Sequence, residues 1–462
     1  METLLRCVAG IDVHAKTVEV CVRVLATDDE QRQWVRRFET MTGELRKLSD
    51  WLESLGVTHV AMESTGVYWK PIFNILEERF TMLLCNARHI KHVPGRKTDV
   101  KDCQWIAQLL QCGLLKGSFI PPRAQRDLRD LTRHRAQLSG EQTRVKNRIQ
   151  KILEDANIKL GEVASDPLGV SGRLMLKELI AGQTDAKALA ELARKRLRGK
   201  IPQLRKALEG HLTEHHRFML AKLMKHLEFL EQEIEELDGR IAGLMAPPDP
   251  QPPEGAESGS RPTPATVPEG KPALPQAAVD GPPEDSVGTH QTQTVPPPLA
   301  WHEAVALVDP VPGIDQTSAQ AILAELGTNM APFPTEKNMG SWARICPGME
   351  ESAGKRKSGK TGQANRWLRR VLCQCAWAAS HVKDSYFAAQ FRQIAKRWGK
   401  KRAIIAVAHS QLIVIYHMLK YHVAYHDLGA DFFDKLDPVR KTRYHVKRLE
   451  ELGHKVTLEA AA

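Results

Sequence analysis

No Cys-x-x-Cys pair occurs in this chain of 462 residues, although it holds eight cysteines. The tightest spacing, Cys373-x-Cys375, is too close for a usual zinc knuckle. The thiols are therefore expected to be reduced and buried, as in a reducing cytoplasm. The chain does not open on an apolar signal-like segment, and no run reads as long enough to span a membrane. These absences lead to the expectation of a soluble cytoplasmic protein with no membrane partner. Large apolar residues are almost missing from 246–300, which carries 15 of the 27 prolines. Such a stretch cannot bury enough surface to order itself and reads as a disordered Pro-rich linker.

Charge is what the rest of the chain has in excess. Lys and Arg number 66 against 55 acids, a formal charge of +11. The linker holds seven acids against Arg261 and Lys271, so it is net −5 and the remainder is +16. A polyanionic partner follows from that balance, without specificity.

Apolar periodicity divides the chain. Strand-like runs fall near 6–13, 17–25, 31–39, 57–63 and 80–86, with amphipathic helices near 43–55, 67–79 and 99–112. Three strands joined by short turns, followed by alternating helices and strands, predict a mixed α/β sheet of the ribonuclease H-like (RuvC-like) class over 1–120. Beyond Pro121 long helices take over, to about 245. The series Leu220, Leu223, Leu227, Leu230, Ile234, Leu237, Ile241 and Leu244 predicts a coiled-coil seam, within the chain or between subunits; an ordinary helical hairpin is the bland alternative. The first long arm bears Arg123, Arg126, Arg129, Arg133, Arg135, Arg144, Lys146, Arg148 and Lys151, expected to track phosphates. After the linker comes a mainly α domain over 301–425 and a basic tail over 426–462. Pro312-Gly313-Ile314 begins a helix-hairpin-helix-like element, in which Asp315 stands where a phosphate-binding hairpin usually has Gly.

Four acids carry the chemical signal. Asp12 ends the apolar run from Cys7, and Glu63 ends the run from Val57. Asp99 and Asp102 lie three apart at the start of a helical pattern, on one face. Each alone is as consistent with a turn or a helix cap. Together they suit Mg²⁺ or Mn²⁺, hard cations that can clamp the oxygens of a phosphodiester.

A second constellation follows at 341–372. Lys355, Arg356, Lys357 and Lys360 lie in a Gly- and Ser-rich loop that enters a helix bearing Arg366, Arg369 and Arg370. Bunched cations beside a helix start bind phosphates well, though a solvated basic loop is the plainer reading. Another basic turn runs from Lys396 to Arg402.

The motifs Gly10-Ile11-Asp12-Val13-His14, Met62-Glu63-Ser64-Thr65-Gly66-Val67-Tyr68-Trp69, Lys97-Thr98-Asp99-Val100-Lys101-Asp102 and the segment Pro347 to Arg370 resemble those of DEDD-type insertion-sequence transposases. The resemblance implies a RuvC-like catalytic domain, a coiled-coil insertion and a C-terminal transposase domain. It implies Asp12, Glu63, Asp99 and Asp102 as metal-binding acids and Ser352 as a nucleophile, with Ser358 its competitor because Ala353 replaces the usual following Gly. It further implies double-stranded DNA as substrate, a structured noncoding guide RNA, a homodimer assembling to a tetramer, and a place at the bacterial nucleoid. Two other functions compete: a RuvC-like junction nuclease using water, and a non-catalytic nucleic-acid-binding scaffold.

Overall fold

The computed structural model describes residues 4–26, 30–64, 66–86, 90, 102–247, 296–346, 350–352, 355–358, 365–436 and 438–458. The expected linker lies almost wholly outside them. The chain forms two compact units, Met1–Pro122 and Arg123–Ala462.

The first unit is built on a five-stranded sheet in the order β3-β2-β1-β4-β5. Its strands are β1 (Cys7–Val13), β2 (Thr17–Leu25), β3 (Gln31–Glu39), β4 (His59–Glu63) and β5 (Thr81–Cys85). β1 to β3 form an antiparallel meander, whereas β4 runs parallel to β1 and β5 parallel to β4. Parallel neighbours need crossovers, and α1 (Thr42–Ser54) and α2 (Trp69–Leu76) supply them. Alternation along β1 assigns the two faces. Ala9, Ile11 and Val13 pack with Leu45, Leu48 and Ile72 of α1 and α2, while Val8 packs with Trp105, Ile106 and Leu109 of α3 (Asp102–Gln111). This is the RuvC-like, ribonuclease H-like arrangement expected from the sequence.

The second unit opens with α4 (Arg123–Asp155), which pairs with α9 (Glu214–Met245). Arg135 meets Asp238, Gln142 meets Glu231 and Asp155 meets His216, so the two run antiparallel within one chain. Leu138, Val145, Ile149 and Leu153 share a core with Leu220, Met224, Leu227 and Leu230. The seam drifts from the expected heptad at its end, where Met245 is buried and Leu244 is exposed. Between the arms lie α5 (Leu160–Val163), α6 (Val170–Ala181), α7 (Ala186–Glu191), a 3₁₀ turn (Lys195–Lys200) and α8 (Ile201–Ala207).

Past the linker come α10 (Trp301–Val308), α11 (Gln316–Leu326), α12 (Glu336–Ala343), a hairpin of β6 (Glu350–Ser352) and β7 (Lys355–Ser358), α13 (Arg366–Ala379), α14 (Tyr386–Trp398), α15 (Lys400–Tyr421), α16 (Phe432–Leu436) and α17 (Pro438–Glu451). One sequence expectation needs correction here: α15, at 22 residues, is long and apolar enough to pass as a membrane span. Its Val407, Leu412, Ile415 and Tyr416 are buried in this unit, and the buried Gln411 donates to the Pro312 carbonyl, so it is a core helix. The turn between α10 and α11 is equally internal. Gly313 has φ +83°, and a Cβ there would stand 2.3 Å from the Cys375 carbonyl oxygen and 2.4 Å from the Ala379 nitrogen. Backbone contact with α13 thus explains this glycine, and Asp315 caps α11 by accepting from the Ser318 N–H at 2.8 Å.

Candidate active site

Two of the four predicted acids, Asp12 and Glu63, stand at the same ends of the neighbouring strands β1 and β4, and a third, Asp102, lies near enough to Asp12 to act on its charge. Asp12 lies one residue from the end of β1, and Glu63 is the last residue of its parallel neighbour β4. The last registered pair is Ile11 with Met62, so the next step sets Asp12 alongside Glu63. Asp102 is the first residue of α3. What brings that helix end to Asp12 is Gly10, which points to the same face two residues earlier. A Cβ on Gly10 would lie 2.3 Å from the Ala107 nitrogen and 2.4 Å from the Cys103 carbonyl oxygen. The backbones of β1 and α3 therefore touch, and only glycine permits the contact.

The electrostatics follow from that closeness. Asp12 is half-buried, and burial pushes its carboxyl above the ordinary range; the Asp102 and Glu19 carboxylates push it further, while His14 and the Val13 backbone oppose them. His14 Nε2 lies 3.3 Å from Asp12 Oδ2, and Glu19 is the direct cross-strand partner of Asp12. Neither stands out from the sequence as a site residue. For His14 the signal is its place just past the end of β1, two residues from Asp12; that for Glu19 requires the hairpin register.

Like charges crowded around a half-buried oxygen donor, here Asp102 and Glu19 about Asp12, are the donor chemistry that a hard divalent cation such as Mg²⁺ or Mn²⁺ would relieve. Among the described residues no group of three His, Cys, Asp or Glu closes into a ligand set by itself. The fourth acid, Asp99, lies outside the described residues.

The serine constellation belongs to the second unit. Ser352 is the last residue of β6 and pairs with Lys355, the first residue of β7. Ser358 pairs with Glu350 at the other end of the same hairpin. Lys355, Arg356 and Lys357 lie on β7, and Lys360 lies outside the described residues. Arg366, Arg369 and Arg370 occupy the first turns of α13, with Arg366 and Arg370 exposed and Arg369 half-buried. Asn365 caps this helix, its side-chain oxygen accepting from the N–H groups of Trp367 and Leu368.

Asn365 also joins a buried network that the sequence does not announce. Glu325 of α11, only 2% exposed, accepts from Arg133 Nε at 2.6 Å and Nη2 at 2.9 Å, and from Asn365 Nδ2 at 2.5 Å. Arg129 donates to the Ala324 carbonyl at 3.0 Å and to the Glu325 carbonyl. Burial pulls Arg129 down to about 10 while Glu325 holds it up, so it stays cationic at neutral pH. Arg135 binds Asp238, Gln320 and the Thr317 carbonyl. These three arginines, expected to track phosphates, instead tie α4 to α11.

Comparison with known proteins supplies the family. Residues 9–158 match the IS110-type DEDD model described as "Transposase", and residues 305–392 match "Transposase IS116/IS110/IS902 family"; together they cover just over half of the chain. No curated protein matches the chain. Among solved structures, the chain is similar to T. thermophilus RuvC in complex with Holliday junction substrate, at 12% identity over 25% of this chain and 100% of RuvC, with a TM-score of 0.19.

Proposed function

The chain belongs to the IS110 family of DEDD transposases, and from that premise we propose that it cuts and rejoins DNA through Ser352, assisted by Asp12, Glu63, Asp99 and Asp102. The observation that supports this reading is the approach of Asp102 to Asp12 allowed by the Gly10 contact, with Glu63 at the end of the strand beside β1. These acids would hold Mg²⁺ or Mn²⁺. A bound divalent ion supplies a Lewis acid that eases loss of the serine proton and offsets charge on the non-bridging phosphate oxygens.

The Ser352 hydroxyl gives its proton to a carboxylate, and its oxygen forms a bond to phosphorus. The bond from phosphorus to one deoxyribose oxygen breaks, and that oxygen leaves with the electron pair and takes up a proton. A phosphoserine ester and a free DNA hydroxyl result. Attack by a hydroxyl of another strand reverses the step, so no bond energy is lost and joining needs no nucleotide cofactor. The cations of β7 and α13 hold the backbone phosphates. Sequence choice belongs to a structured noncoding RNA, leaving the protein to grip shape and backbone. Strand exchange needs several centres, hence a dimer that assembles to a tetramer at the nucleoid. The divisions 1–120, 121–245, 246–300, 301–425 and 426–462 are our working domains for this cycle.

The test is a denaturing gel of protein incubated with element-end DNA and Mg²⁺. Wild type is expected to give a covalent protein–DNA band, which Ser352→Ala abolishes and Ser358→Ala retains. Asp12→Asn and chelation by EDTA are expected to abolish both adduct and cleavage. Nicking that persists without adduct in Ser352→Ala assigns the nucleophile to water and overturns the serine mechanism.

A further inference from the structure

Outside the residues matched by either family model, the second unit presents a basic and aromatic surface. The C-terminal turn of α14 and the first turn of α15 expose Lys396, Arg397, Lys400, Lys401 and Arg402. Among the described residues none of these five forms an ion pair with a carboxylate. Two rings lie among them. Trp398 is 62% exposed, with the Arg402 guanidinium 5.6 Å from its ring centre. Tyr444 of α17 is 52% exposed, with Lys396 Nζ at 5.3 Å. Lys396 therefore links the tail helix to the turn, and α17 also exposes Arg443 and Lys447.

This composition differs from that of an ordinary solvated basic turn. A solvated turn needs no tryptophan, and burying either ring would gain apolar transfer energy that the fold leaves unused. Cations bunched around open π-faces match a chain of phosphates carrying unpaired bases: the phosphates meet the Lys and Arg side chains, and the bases stack on the rings. A duplex satisfies only half of this surface, because its bases are already stacked on one another.

We propose that Trp398 and Tyr444, with the cations between Lys396 and Arg402, form a second nucleic-acid site that binds a single-stranded segment, separate from the Ser352 hairpin. The site would hold an unpaired stretch of RNA or the displaced strand of opened DNA, through the same stacking and phosphate contacts.

The experiment compares the full chain with Trp398→Ala/Tyr444→Ala and with Lys400→Glu/Lys401→Glu, by fluorescence anisotropy on labelled single-stranded RNA, single-stranded DNA and blunt duplex DNA of equal length. Circular dichroism and thermal unfolding confirm that each variant is folded. The ring variant is expected to lose tenfold or more affinity for single strands while duplex affinity changes less than twofold. The charge variant is expected to weaken all three and to flatten their salt dependence. Greater loss on RNA than on DNA assigns the site to RNA, and the reverse assigns it to a displaced strand. Unchanged single-strand affinity in the ring variant overturns the proposal, as does an equal loss on duplex. So does ring-dependent binding to vesicles of anionic phospholipid with no effect on single strands. A Ser352→Ala chain keeps the single-strand site, so this result stands apart from the fate of the serine mechanism.

Discussion

Two arginine-rich stretches of this protein look alike in sequence and behave in opposite ways. On α4, Arg129, Arg133 and Arg135 are buried or half-buried and are bound by Glu325, Asp238, Gln320 and main-chain carbonyls of α11. At the junction of α14 and α15, Lys396 to Arg402 lie open to solvent around Trp398. The first set holds helices together and the second is available to a ligand. Net charge counts both equally, and the difference teaches that only unpaired cations contribute to an electrostatic footprint. A buried charge is committed to its partner, because separating the pair inside the protein strands an ion at low dielectric.

The contrast can be broken most forcefully at Glu325. Glu325→Ala leaves two guanidinium groups without their buried acceptor and removes the brace of Asn365, the cap of α13. It is expected to destabilise the second unit by about 3–5 kcal/mol, seen as a marked fall in Tm. Little change in Tm would show that the network is incidental. Arg135→Ala should cost less, about 1–3 kcal/mol, since its main partner Asp238 is half-exposed and regains water, leaving chiefly Gln320 and the Thr317 carbonyl unmet. Lys400→Glu/Lys401→Glu, on the open side of the comparison, should leave stability within about 0.5 kcal/mol of wild type. Thermal unfolding decides this too, and a large loss would place those lysines among the structural cations.

The smallest effect concerns Asp315. Ser318 holds its carboxyl below the usual range, through a hydrogen bond that only the carboxylate accepts well. A depressed folded value means this stabilisation is complete above the unfolded value near 3.9 and is lost as pH falls through the folded one. Asp315→Ala should cost about 1 kcal/mol at pH 7 and progressively less below pH 4. Unfolding in urea across that range measures it. A cost independent of pH would remove the charged cap as its cause.

Much of the first unit is legible in the residues alone. Every strand of the sheet falls within two residues of its expected run, most plainly β2, where Val18, Val20, Val22 and Val24 alternate as a local code for a strand. Asp12 and Glu63 can be placed at strand ends for the same reason. The approach of Asp102 to Asp12 cannot, since it depends on Gly10 admitting the backbone of α3. The two long arms are visible as helices, but whether they pair within a chain or between chains is a contest among similar apolar stripes. Packing of Leu138, Val145 and Ile149 against Leu220 and Leu227 decides it.

What the sequence by itself determined is therefore the set of elements and the chemical inventory: a mixed sheet, two helical arms, acids at strand ends, a basic loop, a Pro-rich break. Those properties are written in residues adjacent or a few positions apart, where backbone periodicity turns spacing into a face. Tertiary structure alone decided which charges are spoken for. Arg133 and Glu325 are 192 residues apart, and no local rule tells an arginine that its partner will arrive from another helix. Pairing is a property of the folded contact, and it separates the cations that brace the helices of this transposase from those left open to solvent.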